Sequence, residues 1–281
     1  MTKLDSRLHA FRPDLADSRL AGRVAAARYA EGRVMQVAAP LVTVHKSPSS
    51  DAMQLTQALM GEHLHVFDEQ EGWAWVQLAA DSYVGYVSAN ALTPALTEAT
   101  HRVAVPATFL YPAANLKTQP AIAVTLNARL CATGMEGKFL KTADGLFVYA
   151  DHVAPIDAYA DDFVSVAERF RHVPYYWGGK SVQGLDCSGL VQLALEACGI
   201  ACPRDSDMQE QGLGTALQIN DLDGLRRGDL IFWNGHVGIM TDSSTLLHAN
   251  GHHMMVVAEP LREAVDRIAG QHGQITSLKR L

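Results

Sequence analysis

The sequence predicts an α+β protein in which two small all-β domains precede a mixed domain. Three observations predict this class. Short apolar runs separated by Pro, Ser, Asp and Gly fill residues 36 to 155, a helical apolar pattern follows residue 156, and one cysteine with two later histidines marks the C-terminal part. We therefore divide the chain into an arm (1–35), two β domains (36–96 and 97–155) and a C-terminal domain (156–281).

The composition is that of a folded chain with neither nucleic acid nor a membrane as its partner. Hydrophobic residues make up 48%, charged residues 19%, and the net charge of −7 disfavours binding to phosphate backbones or anionic membrane surfaces. The first residues lack the apolar run of a secretory signal, and no stretch approaches membrane-spanning length, so we expect a cytoplasmic location. Four unevenly spaced cysteines predict free thiols. The sequence leaves the oligomeric state open.

The N-terminal half contains patterns typical of short strands. Residues 1–35, rich in Arg and Ala, predict a helical or irregular arm. The first β domain is predicted to contain two paired strands, Gly72–Leu78 and Tyr83–Val87, joined by a turn at residues 80–82. The second β domain has five β-like runs, at residues 102–106, 121–124, 129–132, 138–141 and 145–149, and a helix is predicted over residues 156–171.

Cys187 lies where a helix is predicted to begin. Asp186-Cys187-Ser188-Gly189 precedes apolar residues on one helical face, and Gly199 ends the pattern. Asp186 is a candidate N-cap, and Gly189 leaves the helix start open to close approach of another segment. Because a helix N-terminus favours an anion, we expect the pKa of the Cys187 thiol to be lowered.

Two histidines follow Cys187 on predicted strands and could exchange a proton with it. The pattern predicts three strands, at residues 227–233, 236–240 and 246–249, with a turn at Asn234-Gly235 between the first two. His236 is the candidate base, and His248 is the candidate group that orients it. Both side chains leave the same sheet face only if the connecting loop has an odd number of residues, centred near Asp242, or contains a β-bulge.

Six motifs in register resemble the NlpC/p60 family of bacterial cell-wall peptidases. They are Tyr176-Trp177-Gly178-Gly179, Asp186-Cys187-Ser188-Gly189-Leu190, Pro203-Arg204-Asp205-Ser206, Arg227-Gly228-Asp229-Leu230, His236-Val237-Gly238-Ile239 and His248-Ala249. The resemblance implies a papain-like domain with catalytic Cys187, His236 and His248 and no metal or other cofactor. It also implies cleavage of the γ-D-glutamyl to diamino-acid bond of murein stem peptides. The two β domains resemble bacterial Src-homology-3-like barrels.

The chemistry follows from these residue types. A Cys187 thiolate attacks the γ-carbonyl, His236 protonates the leaving amine, and water then hydrolyses the thioester with His236 as base. We expect backbone N–H groups at the helix start, including that of Cys187, to hold the oxyanion, with Tyr176 as a side-chain donor.

The arrangement of barrels before the peptidase resembles a subgroup restricted to free peptides that begin with L-alanine. Met60-Gly61-Glu62 and the turn that contains Tyr83 stand where that subgroup recognises the amino group. The resemblance therefore implies substrate-binding roles for Glu62, Tyr83, Asp186, Ser188 and Ser206. Two carboxylates around a buried ammonium would offset its desolvation, whereas a muramoyl-linked alanine would leave them unpaired. Such selectivity predicts the recycling of free murein peptides.

Other functions could use some of the same residues. A zinc site is disfavoured, because Cys198 lies about 16 Å along the helix from Cys187 at a rise of ~1.5 Å per residue. A muramoyl-L-alanine amidase and a thiol acyltransferase use the same thiol chemistry and remain open. A binding module with an inactive catalytic domain is disfavoured by the intact Cys187, His236 and His248.

Overall fold

The computed structural model describes residues 4–218 and 222–281, and the chain divides into two compact units, Met1–Ile156 and Asp157–Leu281. The division falls beside residue 156, where the sequence analysis places the start of the C-terminal domain. Each unit contains sheets of its own.

The N-terminal arm contains short strands and belongs to the first β domain's core. It comprises β1 (Leu15–Asp17), a 3-10 helix (Ser18–Leu20) and β2 (Arg28–Ala30), with β1 and β2 paired in parallel. Ala10 and Leu15 are buried against Phe67, Trp75 and Val84 of the β domain. The expected helical or irregular arm is therefore correct for most of the described residues 4–35, and the two short strands, with Leu15 buried in the core, are the part that was not predicted.

The first β domain is a seven-stranded antiparallel sheet in the order β5-β4-β8-β7-β6-β3-β9. Its elements are β3 (Arg33–Val37), β4 (Leu41–His45), β5 (Gln54–Leu59), β6 (His63–Gln70), β7 (Trp73–Leu78), β8 (Val84–Ser88), a 3-10 helix (Ala89–Ala91) and β9 (Leu92–Thr93). The predicted pair of strands is present, with Trp73 opposite Ser88 and Gln77 opposite Val84.

The second β domain has eight strands in two sheets, ordered β13-β10-β17 and β12-β11-β16-β15-β14. They are β10 (His101–Val103), β11 (Ala107–Tyr111), β12 (Ile122–Thr125), β13 (Arg129–Leu130), β14 (Ala132–Glu136), β15 (Phe139–Thr142), β16 (Phe147–Tyr149) and β17 (Val153–Pro155), with a 3-10 helix (Ala150–His152) before β17. The sequence pattern missed β11, which follows Pro106 and exposes Phe109 instead of burying it.

The C-terminal unit packs helices against a six-stranded antiparallel sheet in the order β20-β25-β21-β22-β23-β24. Its first elements are α1 (Phe163–Glu168), β18 (Lys180–Ser181), β19 (Gly184–Leu185), α2 (Cys187–Ala197), α3 (Ser206–Gly212), β20 (Thr215–Leu217) and a 3-10 helix (Leu222–Gly224). The remaining ones are β21 (Leu230–Trp233), β22 (His236–Met240), β23 (Thr245–Asn250), β24 (Met255–Pro260), α4 (Leu261–His272) and β25 (Ser277–Arg280).

Helix α1 is shorter than the predicted helix over 156–171. It begins after Asp162, whose carboxylate caps it by accepting a hydrogen bond from the Val164 backbone N–H at 2.9 Å. The cap fixes the helix start, because the Asp side chain satisfies one of the free N–H groups of the first turn. Among the helices of the described residues, none is long and apolar enough to cross a membrane.

The arm packing predicts that the N-terminal unit depends on Leu15. This side chain is fully buried, so replacing it by alanine removes apolar contacts and leaves a cavity. We expect Leu15→Ala to lower the free energy of unfolding of the N-terminal unit by about 2–5 kcal/mol, measured by denaturant titration followed through tryptophan fluorescence. Leu116→Ala, at a position 74% exposed, is the control and should change it by less than about 0.5 kcal/mol. Equal effects of both substitutions would contradict an integral role of the arm.

Candidate active site

Cys187 is the first residue of α2, as the sequence analysis predicts. Asp186 is the N-cap, and its Oδ1 accepts a hydrogen bond from the Gly189 backbone N–H at 2.7 Å. Cys198 is the C-cap, and the next residue, Gly199, adopts a φ of +74°, in the left-handed region that favours glycine. The nucleophile candidate therefore lies in the first turn of a well-capped helix.

The start of α2 lies tightly against the loop that contains Gly178 and Gly179. A Cβ atom placed on Gly189 would lie 2.1 Å from the Gly179 carbonyl oxygen. A Cβ atom on Gly179 would in turn lie 2.3 Å from the Gly184 carbonyl oxygen. Glycine at position 189 thus permits the close backbone approach that the sequence analysis expects there.

Asp186 and Arg204 form a buried ion pair behind the helix start. Arg204 is 1% exposed and donates to both carboxylate oxygens, from Nη1 to Oδ1 at 3.0 Å and from Nη2 to Oδ2 at 2.7 Å. The Gly178 backbone N–H also donates to Oδ2 at 2.7 Å, and Ser188 Oγ accepts from Arg204 at 2.8 Å. Arg204 belongs to the Pro203-Arg204-Asp205-Ser206 motif, but its pairing with Asp186 was not predicted from the sequence.

A pocket of about 80 Å³ brings together side chains from four parts of the C-terminal unit. Cys187 comes from α2, His236 from the start of β22, His248 and Asn250 from β23, and His272 from the end of α4. The sheet, the helix start and the C-terminal helix therefore converge on one concave site, which contains all three predicted catalytic residues.

His236 and His248 leave the same face of the sheet. β22 and β23 pair with Ile239 opposite Leu247 and Met240 opposite Leu246. The pairing leaves residues 241–245 between the last paired residues, an odd number, so the condition on the loop is met, with the loop centred on Ser243 instead of Asp242. His236 Nε2 lies 2.8 Å from His248 Nδ1, which is a hydrogen bond between the two rings.

The hydrogen-bonded chain continues beyond His248 to residues that the sequence analysis missed. His248 Nε2 lies 2.6 Å from Glu259 Oε1 and 3.0 Å from Asn250 Nδ2. Arg267 of α4 forms an ion pair with the same Glu259 oxygen. Because Val257 lies opposite His248, Glu259 leaves the same face two residues further along β24. The sequence patterns predicted only three strands here. Recognising β24 as a fourth strand would have indicated that Glu259 lies close to His248.

The His236 ring also packs against His272. The two ring centroids lie 5.3 Å apart with an interplanar angle of 30°, and His272 Nδ1 donates to the Asn234 carbonyl oxygen at 2.9 Å. The C-terminal turn of α4 therefore covers part of the His236 imidazole.

The surroundings of Cys187 and His236 favour the neutral form of each side chain. Burial and the negative charge of Asp186 raise the pKa of the Cys187 thiol to about 12, and backbone hydrogen bonds from Val237 and Ser188 offset this only in part. Burial, together with the neighbouring His248, His272 and Arg267, lowers the pKa of His236 well below its usual value. The expectation of a lowered Cys187 pKa is therefore wrong, because desolvation of the thiolate outweighs the helix N-terminus.

Tyr175, and not Tyr176, lines the pocket beside Cys187. The Tyr176 ring lies against Gly184 and is 47% exposed, so the structure corrects its expected role as an oxyanion donor. Burial and the nearby Cys187 and Asp186 raise the pKa of Tyr175, which keeps its hydroxyl protonated and able to donate. Successive residues of an extended chain point in opposite directions, which is why the neighbouring tyrosine reaches the site.

The other predicted substrate-binding residues are distributed over both units. Glu62 and Tyr83 are buried in the N-terminal unit, where Glu62 Oε2 accepts from the Leu59 backbone N–H at 3.2 Å. Ser206 begins α3 and is partly buried. Asp186 already holds Arg204, so a substrate ammonium at this carboxylate would share it with a guanidinium.

All four cysteines are free thiols. Within residues 4–218 and 222–281, no group of three His, Cys, Asp or Glu side chains is arranged to hold a metal ion.

Two parts of the chain match known protein families. Residues 172–267 match the NlpC/P60 family, and residues 44–92 match the bacterial dipeptidyl-peptidase Sh3 domain. A gamma-D-glutamyl-L-lysine dipeptidyl-peptidase of Bacillus cereus is 29% identical over 202 residues, 63% of this chain and 59% of the relative. The matched part is thus less than two thirds of that relative. A protein of the same name from Bacillus subtilis is 27% identical over 71% of this chain and 73% of its own.

The fold is also that of a solved structure. The crystal structure of an NlpC/P60 family protein from Bacillus cereus superposes with a TM-score of 0.74 at 21% sequence identity, over 88% of this chain and 99% of the other. The predicted fold class, a peptidase domain of this family after Src-homology-3-like domains, is confirmed.

The resting protonation state can be tested by ultraviolet titration. A thiolate absorbs in the ultraviolet more strongly than a thiol, so the spectrum of wild type minus that of Cys187→Ser reports the Cys187 thiolate. Because its pKa is raised to about 12, we expect no difference signal at neutral pH and a rise only above about pH 10. A signal already present at or below neutral pH would contradict the neutral pair. Cys131→Ser serves as the control for a cysteine outside the site.

Proposed function

The C-terminal domain of this chain belongs to the NlpC/P60 family of cysteine peptidases, and on that basis we propose that the protein hydrolyses the γ-D-glutamyl to diamino-acid bond of murein stem peptides. The observation that carries the proposal is the convergence of Cys187, His236 and His248 on one pocket, with the two imidazoles hydrogen-bonded at 2.8 Å. A thiol beside an oriented imidazole is the arrangement that acyl transfer to sulfur requires.

The first half of the reaction forms a thioester. As Cys187 Sγ attacks the γ-carbonyl carbon of D-glutamate, His236 takes the thiol proton. The thiolate therefore forms only as the new S–C bond forms. The negative charge on the carbonyl oxygen is stabilised by backbone N–H groups at the start of α2 and by the Tyr175 hydroxyl. His236 then gives its proton to the leaving amine of the diamino acid, which departs as the thioester remains.

The second half releases the enzyme. His236 takes a proton from a water molecule that attacks the thioester, and the proton returns to the Cys187 sulfur as it leaves. The products are a peptide ending in D-glutamate and a peptide or amino acid beginning with the diamino acid. His248, hydrogen-bonded to the His236 ring, holds that ring in place through both proton transfers.

We further propose that the substrate is a free peptide that begins with L-alanine. Glu62 is 4% exposed and Tyr83 is 3% exposed, and the two Bacillus relatives are named as dipeptidyl-peptidases. A buried carboxylate can offset the desolvation of an ammonium group. Such selectivity would suit the recycling of murein peptides.

The reaction is tested with free L-Ala-γ-D-Glu-L-Lys, the matching diaminopimelate peptide and intact peptidoglycan, with products identified by mass spectrometry. We expect wild type to release L-Ala-D-Glu from a free peptide, and Cys187→Ala to lower the rate by at least about 10³-fold, because the nucleophile is lost. Cys198→Ala, at the other end of the same helix, is the control and should act like wild type.

Other outcomes would select the alternatives. Release of an intact stem peptide from the glycan strand would support an amidase, and transfer of the acyl group to an added amine in preference to water would support an acyltransferase. Absence of any covalent chemistry in wild type would support a binding module.

The selectivity has its own test. Glu62→Gln keeps the shape and removes the charge, so we expect KM for the free tripeptide to rise by about tenfold or more, with a smaller effect on kcat. N-acetylation of the substrate should have a comparable effect in wild type and none in the variant. Glu69→Gln, at an exposed position of the same domain, is the control. Equal cleavage of acetylated and free peptide by wild type would refute the role of Glu62.

A further inference from the structure

We propose that Glu259 is a positioning residue that fixes the tautomers of His248 and His236 and thereby makes one nitrogen of His236 the base. The inference rests on the proposed function only in that the base acts on Cys187. It concerns a side chain on β24 that reaches the reacting atoms through two imidazoles.

Two groups compete for the same nitrogen of His248. Glu259 Oε1 lies 2.6 Å from Nε2, and Asn250 Nδ2 lies 3.0 Å from it. An ionised carboxylate only accepts hydrogen bonds, so Glu259 requires a proton on Nε2. An amide NH₂ group only donates, so Asn250 requires Nε2 to be unprotonated. The two demands cannot both be met.

The orientation of the Asn250 amide is fixed independently. Its Oδ1 accepts a hydrogen bond from the His253 backbone N–H at 2.8 Å, which turns the NH₂ group toward His248. The competition is therefore a real one between a donor and an acceptor, and the amide cannot resolve it by rotating without losing that bond.

Glu259 forms the stronger of the two hydrogen bonds to His248 Nε2, because its contact is shorter and it is charged. Its contact is shorter, and a hydrogen bond to an ionised acceptor is roughly twice as strong as a neutral one. Burial opposes ionisation of Glu259, but the hydrogen bonds from His248 and Arg267 outweigh it and lower its pKa to about 2. The carboxylate is thus charged at neutral pH, and His248 carries its proton on Nε2.

The remaining nitrogens follow in order. A neutral His248 with a proton on Nε2 has an unprotonated Nδ1, which can only accept, so His236 donates from Nε2 across the 2.8 Å contact. His236 then has an unprotonated Nδ1, and this is the nitrogen that takes the Cys187 proton. Without Glu259, the Asn250 amide would select the opposite tautomer of each ring and leave His236 Nδ1 protonated.

The direct test is ¹⁵N NMR of histidine-labelled protein, in which protonated and unprotonated ring nitrogens have distinct shifts. We expect wild type at neutral pH to carry protons on Nε2 of both His248 and His236 and none on Nδ1. Protons on Nδ1 of both rings would overturn the proposal. This readout needs no turnover, so it stays decisive even if the protein cleaves none of the peptides named above.

The kinetic test uses Glu259→Leu, which removes the acceptor at similar size. We expect kcat to fall by about 100-fold with KM within about twofold, because a wrong tautomer impairs the base without changing substrate contacts. Both rings should change tautomer in the same NMR experiment. Glu263→Gln, an exposed carboxylate on α4, is the control and should leave both readouts unchanged. Wild-type kcat and tautomers in folded Glu259→Leu would overturn the proposal.

A second variant separates positioning from loss of structure. In Glu259→Leu/Asn250→Asp, the new carboxylate can accept from His248 Nε2 where the amide donated. We expect at least about a tenfold recovery of kcat and return of the wild-type tautomers, which restored packing alone would not produce. A folded double variant that keeps the Glu259→Leu tautomers would overturn the proposal.

Discussion

The carboxylate of Asp186 joins three segments of the C-terminal unit: the loop at Gly178, the first turn of α2 and the segment before α3 that contains Arg204. It accepts from the Gly178 backbone N–H, from the Gly189 backbone N–H and from both ends of the buried Arg204 guanidinium. Leaving either charge of such a pair unpaired in the interior costs about 3–5 kcal/mol. The start of α2, and with it Cys187, is thereby held against the glycine loop on one side and the segment before α3 on the other.

A neutral thiol and a neutral imidazole give this site a different resting chemistry from a preformed ion pair. The thiolate is the form that oxidants attack, and burial of Cys187 raises the pKa of its thiol and so disfavours that form. Helix α2, which begins at Cys187, packs against β22, the strand that carries His236. In the proposed reaction the proton therefore moves between two elements that pack against each other.

Local sequence signals predicted the parts of the site that local structure determines. The Asp186 cap, the start of α2 at Cys187 and the hairpin turn at Asn234-Gly235 each depend on a few neighbouring residues, and the structure contains all three. Arg204, Glu259 and Tyr175 were missed because their importance arises from tertiary neighbours. The Cys187 pKa was predicted in the wrong direction for the same reason, since burial is a property of the folded unit and the helix dipole a property of the local chain.

The fold was predicted to a similar depth. The order of β-rich and mixed regions follows from composition and periodicity, but strand β11 exposes its aromatic residue, and the arm takes its conformation from the surface on which it packs.

The turn between β22 and β23 limits how this region can change in evolution. Asp242 Oδ1 accepts from the Ser244 and Thr245 backbone N–H groups at 2.7 and 2.9 Å, so the turn has its own stabilising contacts. A surface turn of this kind usually tolerates insertions and deletions. Here a single inserted or deleted residue would point His248 to the opposite face of the sheet unless a bulge compensated. Length variation in homologous turns should therefore proceed in steps of two residues, a parity rule imposed on a surface turn by a buried hydrogen bond.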